Sequence, residues 1–143
     1  MNPFNIERTF RDRKVRRWPN IYFCIDLHDV ILQGKYKLNN DAAGYFPNCF
    51  NVLRQLNKHP DFVLILWTSG HIGPTAKVLE DLEKEGIHFK FVNENKDCPD
   101  DHLCNFSKKF YMNILLDDKA GFEGATDWFL VEKELRRIGE WIE

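Results

Sequence analysis

The sequence holds no Cys-x-x-Cys pair and only four cysteines, Cys24, Cys49, Cys98 and Cys104. Cys98, His102 and Cys104 form a loose cluster, but a tetrahedral zinc site needs a fourth ligand and tighter spacing. Cys24 falls in an apolar strand and Cys49 on the apolar face of a helix, so both read as small core residues. Reduced thiols in a cytosolic setting are the simpler expectation, and with them a cytoplasmic location. No apolar run approaches the length of a membrane span. The charged N-terminal region is not followed by the long apolar stretch of a secretory signal. There is no internal repeat and no low-complexity segment. Net charge is only −2, which excludes a general nucleic-acid binder acting through overall charge.

What is present is enough for one domain with a core of its own: 143 residues, 14% of them aromatic and 29% charged. The charge is uneven. The first 20 residues hold six Lys/Arg (Arg8, Arg11, Arg13, Lys14, Arg16, Arg17) against two acids. Phe4, Phe10 and Trp18 lie among them. Such interleaving can bind single-stranded nucleic acid. The plainer reading of residues 1–20 is a solvated basic arm, or an edge strand around Lys14–Trp18 blunted by charge. Pro19 then breaks the local element, and residues 21–143 read as a single domain.

The stretch IYFCIDLHDVI organises that domain. Ile21 to Ile25 read as a strand buried on both faces, and they run into Asp26, His28 and Asp29. Beyond it, Gly34 divides two short extended stretches, a small hairpin or flap over the strand end. Asn39, Asn40, Asp41 and Gly44 make a loop. Pro47 suits a helix start. Cys49, Val52, Leu53 and Leu56 then give an amphipathic helix, which stops at His59-Pro60. Phe62 to Trp67 is a second strand, emptying into Thr68, Ser69 and Gly70. Ile72, Ala76, Leu79 and Leu82 mark the next helical face, with Gly86 as its stop. Ile87–Val92 is a third strand, followed by a polar loop over 93–105. Met112–Leu116 is a fourth, ending in Asp117-Asp118. Val131, Leu135, Ile138 and Ile142 mark a C-terminal helix, with Thr126 or Asp127 as N-cap.

Strands alternating with helices predict an α/β fold, a three-layer Rossmann-like parallel sheet with helices on both faces. Ligands bind outside the carboxyl ends of such strands. The polar strand ends at 26, 68–69 and 117–118 are therefore expected on one edge. Asp26, Asp117 and Asp118 supply hard oxygen ligands that suit Mg²⁺, and like charges so close repel unless a cation sits among them. A carboxylate can also act as a nucleophile. Thr68 or Ser69 can donate to a phosphoryl oxygen. Lys108 and Lys109, just before the fourth strand, can neutralise charge on a transferring group.

The order FCIDLHDV, LILWTSG, FSKKFYMNILLDDK resembles the haloacid dehalogenase-like (HAD) superfamily of phosphohydrolases over about residues 20–130. The tail FSKKFYMNILLDDKAG looks like short, nearly capless members related to deoxyribonucleotidases. The resemblance implies a HAD-like domain without a large cap. It implies a Mg²⁺-dependent phosphomonoester hydrolase acting through an aspartyl-phosphate. Asp26 matches the nucleophile and a metal ligand. His28 matches the second acidic position, whose backbone carbonyl also ligates the metal. Thr68, with Ser69 beside it, matches the phosphate-binding hydroxyl, and Lys109, with Lys108 close behind, the lysine. Asp117 and Asp118 match the metal-binding pair. A phosphorylated small molecule such as a nucleotide, or a phosphorylated macromolecule, is the implied substrate; no membrane partner is expected, and nucleic acid only through the basic arm.

His28 departs from the pattern, because the family carries a second Asp there as general acid and base. Imidazole titrates near neutrality and can do that work; Asp29 is the neighbouring substitute. A degenerate protein that binds phosphate or nucleic acid with little turnover is the alternative. A phospho-accepting signalling receiver fits less well, since there the acidic pair comes first and the lysine last.

Overall fold

A computed structural model describes residues 2–33 and 44–143. Its centre is a strand of continuous apolar residues, β1 (Ile21–Asp26), buried along Ile21 to Ile25. Strand β2 (Phe62–Trp67) pairs with it in parallel over its whole length, Ile21 opposite Phe62 and Asp26 opposite Trp67. The two remaining strands are short, β3 (Phe91–Val92) beside β2 and β4 (Ile114–Leu116) beside β1. All pairings are parallel, in the order β3-β2-β1-β4. The chain is thus an α/β protein with a four-stranded parallel sheet flanked by helices, a three-layer Rossmann-like architecture.

Alternation along β1 assigns its two faces. Ile21, Phe23 and Ile25 join the main core with the buried residues of all four helices: α1 (Ile6–Arg16), α2 (Cys49–Lys58), α3 (Ile72–Lys84) and α4 (Gly124–Arg137). Tyr22 and Cys24 face the other way, against Ile65 and Phe110, with Tyr111 and Met112 alongside. The return from β3 to β4 crosses this second face. Helix cover was expected there; in the described residues the irregular segment 93–113 supplies it.

Residues 2–20 are neither an arm nor an edge strand. Ile6, Thr9 and Phe10, spaced to share one helical face, are buried and bring α1 onto the core. Phe10 packs on Phe62 at 5.5 Å between centroids, and Phe4 on Phe122 at 5.0 Å. Arg13 pairs with Asp61 and donates to the Trp18 carbonyl at 3.2 Å. All three interleaved aromatics, Phe4, Phe10 and Trp18, thus pack into or against the core. Arg8, Arg11, Lys14, Arg16 and Arg17 remain exposed.

Three further expectations shift. In α3, Leu82 is buried and Leu79 half-buried as expected, but Thr75 and Val78 take the inward positions expected of Ile72 and Ala76, and Ile72 is 88% exposed. The row moves because a polar residue, Thr75, takes a buried position. In α4, Trp128, Val131 and Leu135 are buried, while the helix ends before Ile138 and leaves Ile142 at the surface. Neither Thr126 nor Asp127 is the N-cap; Glu123 is, and its N–H donates to Asp127 Oδ2 at 2.7 Å from inside the first turn. The third and fourth strands are shorter than Ile87–Val92 and Met112–Leu116. Gly86, at φ +78°, ends the turn after α3 as expected. The flap about Gly34 and the loop at Asn39–Asp41 lie outside the described residues. Where the chain returns, Gln33 N–H donates to the Gly44 carbonyl at 2.7 Å, and Leu32 bridges Tyr45. Among the described residues no helix is long and apolar enough to cross a membrane.

If α1 is part of the core, Phe10→Ala costs about 3 kcal/mol of stability. Val15→Ala, at a side chain 78% exposed, stays within about 0.5 kcal/mol. Urea unfolding measures both; equal, small losses would make α1 an appendage.

Candidate active site

Parallel strands deliver their carboxyl ends to one edge, and a pocket of about 490 Å³ opens there. β1 contributes Asp26, followed by His28 and Asp29; β2 contributes Trp67, Thr68 and Ser69; Asn93 follows β3. Asp117, Asp118 and Lys119 follow β4. Among the described residues, four carboxylates and one lysine line the pocket.

Three of the carboxylates converge. One oxygen from each of Asp26, Asp117 and Asp118 lies within 4.8 Å of the others. Opposite oxygens around an octahedral Mg²⁺ are about 4.2 Å apart, twice its bond length, so a small side-chain movement would close this set on a hard divalent cation. Without one, the group stores a proton. Burial, then a hydrogen bond with Asp118 and the charge of Asp117, raises the Asp26 pKa to about 7. Burial also leads the upward shift of Asp117. Asp118 goes the other way: burial pushes its carboxyl up, but hydrogen bonds from Asp26 and Asp117 outweigh that and hold it below its ordinary range. A proton shared between Asp26 and Asp118 relieves the repulsion within the pair.

Backbone groups fix these side chains. Leu27 N–H donates to Asp26 Oδ1 at 2.9 Å, and Lys119 N–H to Asp117 Oδ1 at 2.8 Å. Asp29 adopts φ +64°, and its N–H reaches the Leu32 carbonyl at 2.6 Å, turning the chain sharply behind His28. Trp128 of α4 holds the same segment, donating from Nε1 to the Val30 carbonyl at 2.7 Å.

The Thr68 turn is braced from β3. Asn93, at φ +56°, accepts the Thr68 N–H at 2.8 Å and donates to the Thr68 carbonyl at 2.7 Å. Thr68 Oγ1 accepts the Gly70 N–H at 3.0 Å. A Cβ at Gly70 would lie 3.1 Å from Thr75 Oγ1, 3.2 Å from Thr68 Oγ1 and 3.7 Å from His28 Nε2. A side chain at position 70 would therefore press on both hydroxyls.

The structure therefore brings Asp26, His28, Thr68, Ser69, Asp117 and Asp118 together. It does not bring Lys109 or Lys108. Lys109 is exposed and borders neither this pocket nor its neighbour, whereas Lys108 lines the neighbouring one. Both sit in the segment crossing the second face, while among the described residues the cation at the pocket is Lys119, carried there by the turn after Asp118. Sequence reasoning missed Lys119, Asn93 and Trp67. Asn93 was reachable by the rule that found the others, being the first polar residue after a strand. Cys98, His102 and Cys104 do not converge among the described residues, where Asp26, Asp117 and Asp118 form the one such cluster.

No family model matches the chain, and no curated protein does. Among solved structures it is similar to a conserved protein coded by a locus from Bacteroides thetaiotaomicron, with a TM-score of 0.61 and 21% identity, over 82% of this chain and 91% of that one. At that identity the likeness is one of fold.

The raised Asp26 pKa fixes the sign of a pH effect. A carboxyl that holds its proton more tightly when folded stabilises the protein fully below its ordinary range. That contribution is lost as pH rises through about 7. In EDTA the melting temperature should fall across this window. Asp26→Asn should flatten the fall, and a divalent cation at pH 8 should reverse it. A wild-type profile flat from about pH 4 to about pH 8 would contradict the shared proton.

Proposed function

We propose that the protein is a Mg²⁺-dependent phosphomonoesterase that works through an aspartyl-phosphate on Asp26. The observation that carries this reading is the convergence of Asp26, Asp117 and Asp118 with Thr68, His28 and Lys119 at one sheet edge. The all-oxygen donor set of Asp26, Asp117 and Asp118 fits Mg²⁺, which when bound neutralises charge on the carboxylates and on the phosphoryl oxygens.

The ionised Asp26 attacks phosphorus while the bond to the leaving oxygen breaks. His28, protonated, gives that oxygen its proton. Thr68, Ser69 and Lys119 hold the transferring oxygens by hydrogen bonds and charge, the main source of rate in phosphoryl transfer. Neutral His28 then takes a proton from water, whose oxygen bonds to phosphorus as the acyl–phosphate bond breaks. Phosphate leaves and Asp26 is regenerated. His28 ends each cycle protonated, ready for the next. Phosphorylated small molecules, nucleotides among them, are the substrate class of this reading. Nothing in α1 adds support for a nucleic-acid partner.

His28 favours one alternative, a protein that binds phosphate with little turnover. Phosphate release from a panel of nucleoside monophosphates separates the two. Release should require Mg²⁺, and Asp26→Asn should lower it by about a thousandfold or more; equal release by both proteins would end the nucleophile assignment. His28→Asp should leave kcat within about tenfold, because acid–base assistance of about 10²–10⁴-fold is already supplied. A rise of several orders of magnitude would favour the binding protein.

The lysine assignment has its own test. Lys119→Ala should lower kcat/KM by about a hundredfold, the scale of losing one charged donor to the transition state. Lys109→Ala should change it less than about twofold. The reverse ranking would return the role to Lys109.

A further inference from the structure

Beside the acidic pocket lies a second one, of about 270 Å³, and the two share Trp67 and Asn93 as a common wall. Its own lining is of a different kind. Phe106 and Phe110 border it, with Lys96 and Lys108 balancing Glu94 and Asp100. Trp67 is the last residue of β2 and points to the second face of the sheet, where it meets Phe110 edge-on at 5.4 Å. Nevertheless it remains 41% exposed. A large indole left open at the rim of a charged pocket is costly to hydrate and offers a flat surface for a planar ring.

The charges of the second pocket are not equally free. Glu94 pairs with Lys96 at 3.3 Å, and Asp100 accepts the Phe106 N–H at 2.5 Å. Lys108 is exposed and, among the described residues, meets no carboxylate. The surrounding loop is held in place: buried Asn95 donates to the Tyr111 carbonyl at 2.9 Å and accepts the Asp97 N–H at 3.1 Å.

We propose that the pocket between Trp67 and Lys108 receives the leaving group of the substrate, and that this group is an aromatic ring carrying a further negative charge. The proposal rests on the phosphomonoesterase reading and names the substrate class for it. A phosphoryl group over Asp26 directs its ester oxygen into open solvent or across the shared wall. Crossing the wall puts a ring on Trp67 and its acidic substituent near Lys108. Lys108, the neighbour of the lysine that the sequence pattern matched best to phosphate, thus serves the other end of the substrate.

Three esters with alkoxide leaving groups of similar basicity separate the contributions: cyclohexylmethyl, benzyl and 4-carboxybenzyl phosphate. In the wild type, benzyl should exceed cyclohexylmethyl in kcat/KM by about tenfold, the scale of one ring stacked on an aromatic side chain. Carboxybenzyl should gain about threefold more, as an exposed ion pair allows. Trp67→Leu should collapse the first ratio toward one, and Lys108→Gln only the second. Hydrolysis with no preference, or with ratios that survive both substitutions, would overturn the proposal while leaving the phosphomonoesterase reading standing. If none of the three esters is hydrolysed, the phosphomonoesterase reading stands or falls on the nucleotide panel, and calorimetric titration with benzylphosphonate and cyclohexylmethylphosphonate decides the pocket alone. Tighter binding of the aromatic phosphonate, lost in Trp67→Leu, supports it; equal affinities overturn it.

Discussion

Three carboxylates within 4.8 Å of one another are a constraint that the rest of the sheet edge has to meet. Left ionised they repel, so the site must hold either a proton or a cation. The raised Asp26 pKa of about 7 is the first solution, and a hard divalent ion is the second. Either way, the carboxylates must not drift apart. Full-length pairing of β1 with β2, and the pairing of β1 with β4, fix the strand ends that carry them. Backbone N–H groups of Leu27 and Lys119 then hold individual oxygens.

Rigidity of the edge comes from both faces of the sheet. On the helical face, Trp128 fixes Val30, and with it the turn beyond His28. β3 is only two residues long, yet it sets Asn93 where its side-chain amide can bracket the Thr68 backbone. Among the described residues, no helix braces the second face. Tyr22, Cys24 and Ile65 are covered by Phe110 and its neighbours from the irregular segment. That arrangement has a consequence for access. An irregular cover can leave a recess beside Trp67, and it places a second pocket against the first.

Burial also sorts the cysteines. Cys24 and Cys49 lie in the interior, and burial raises both thiols, Cys24 to about 12. Thiolate chemistry is therefore closed to them.

Much of this was legible from residues alone. Long apolar runs such as Ile21–Ile25 and Phe62–Leu66 identify buried strands whatever surrounds them. A parallel sheet then sends Asp26, Thr68 and Asp117-Asp118 to one edge, because alternating strands and helices allow few other topologies. The apolar stripe of α2 was equally plain, since Cys49, Val52, Leu53 and Leu56 repeat at helical spacing. What sequence could not decide was which polar residues end up facing one another across segments. Lys108 and Lys109 precede β4 and Lys119 follows it; only the path of the connection over the second face separates them. Thr75 looks solvent-facing by type, but it is buried because the turn at Gly70 presses against it. The basic first helix looks like an arm by charge, yet Ile6 and Phe10 find a core that periodicity cannot reveal. Local spacing determines secondary structure and the direction of strand ends. Contacts between distant residues depend on strand order and loop course, and these exist only in the folded chain.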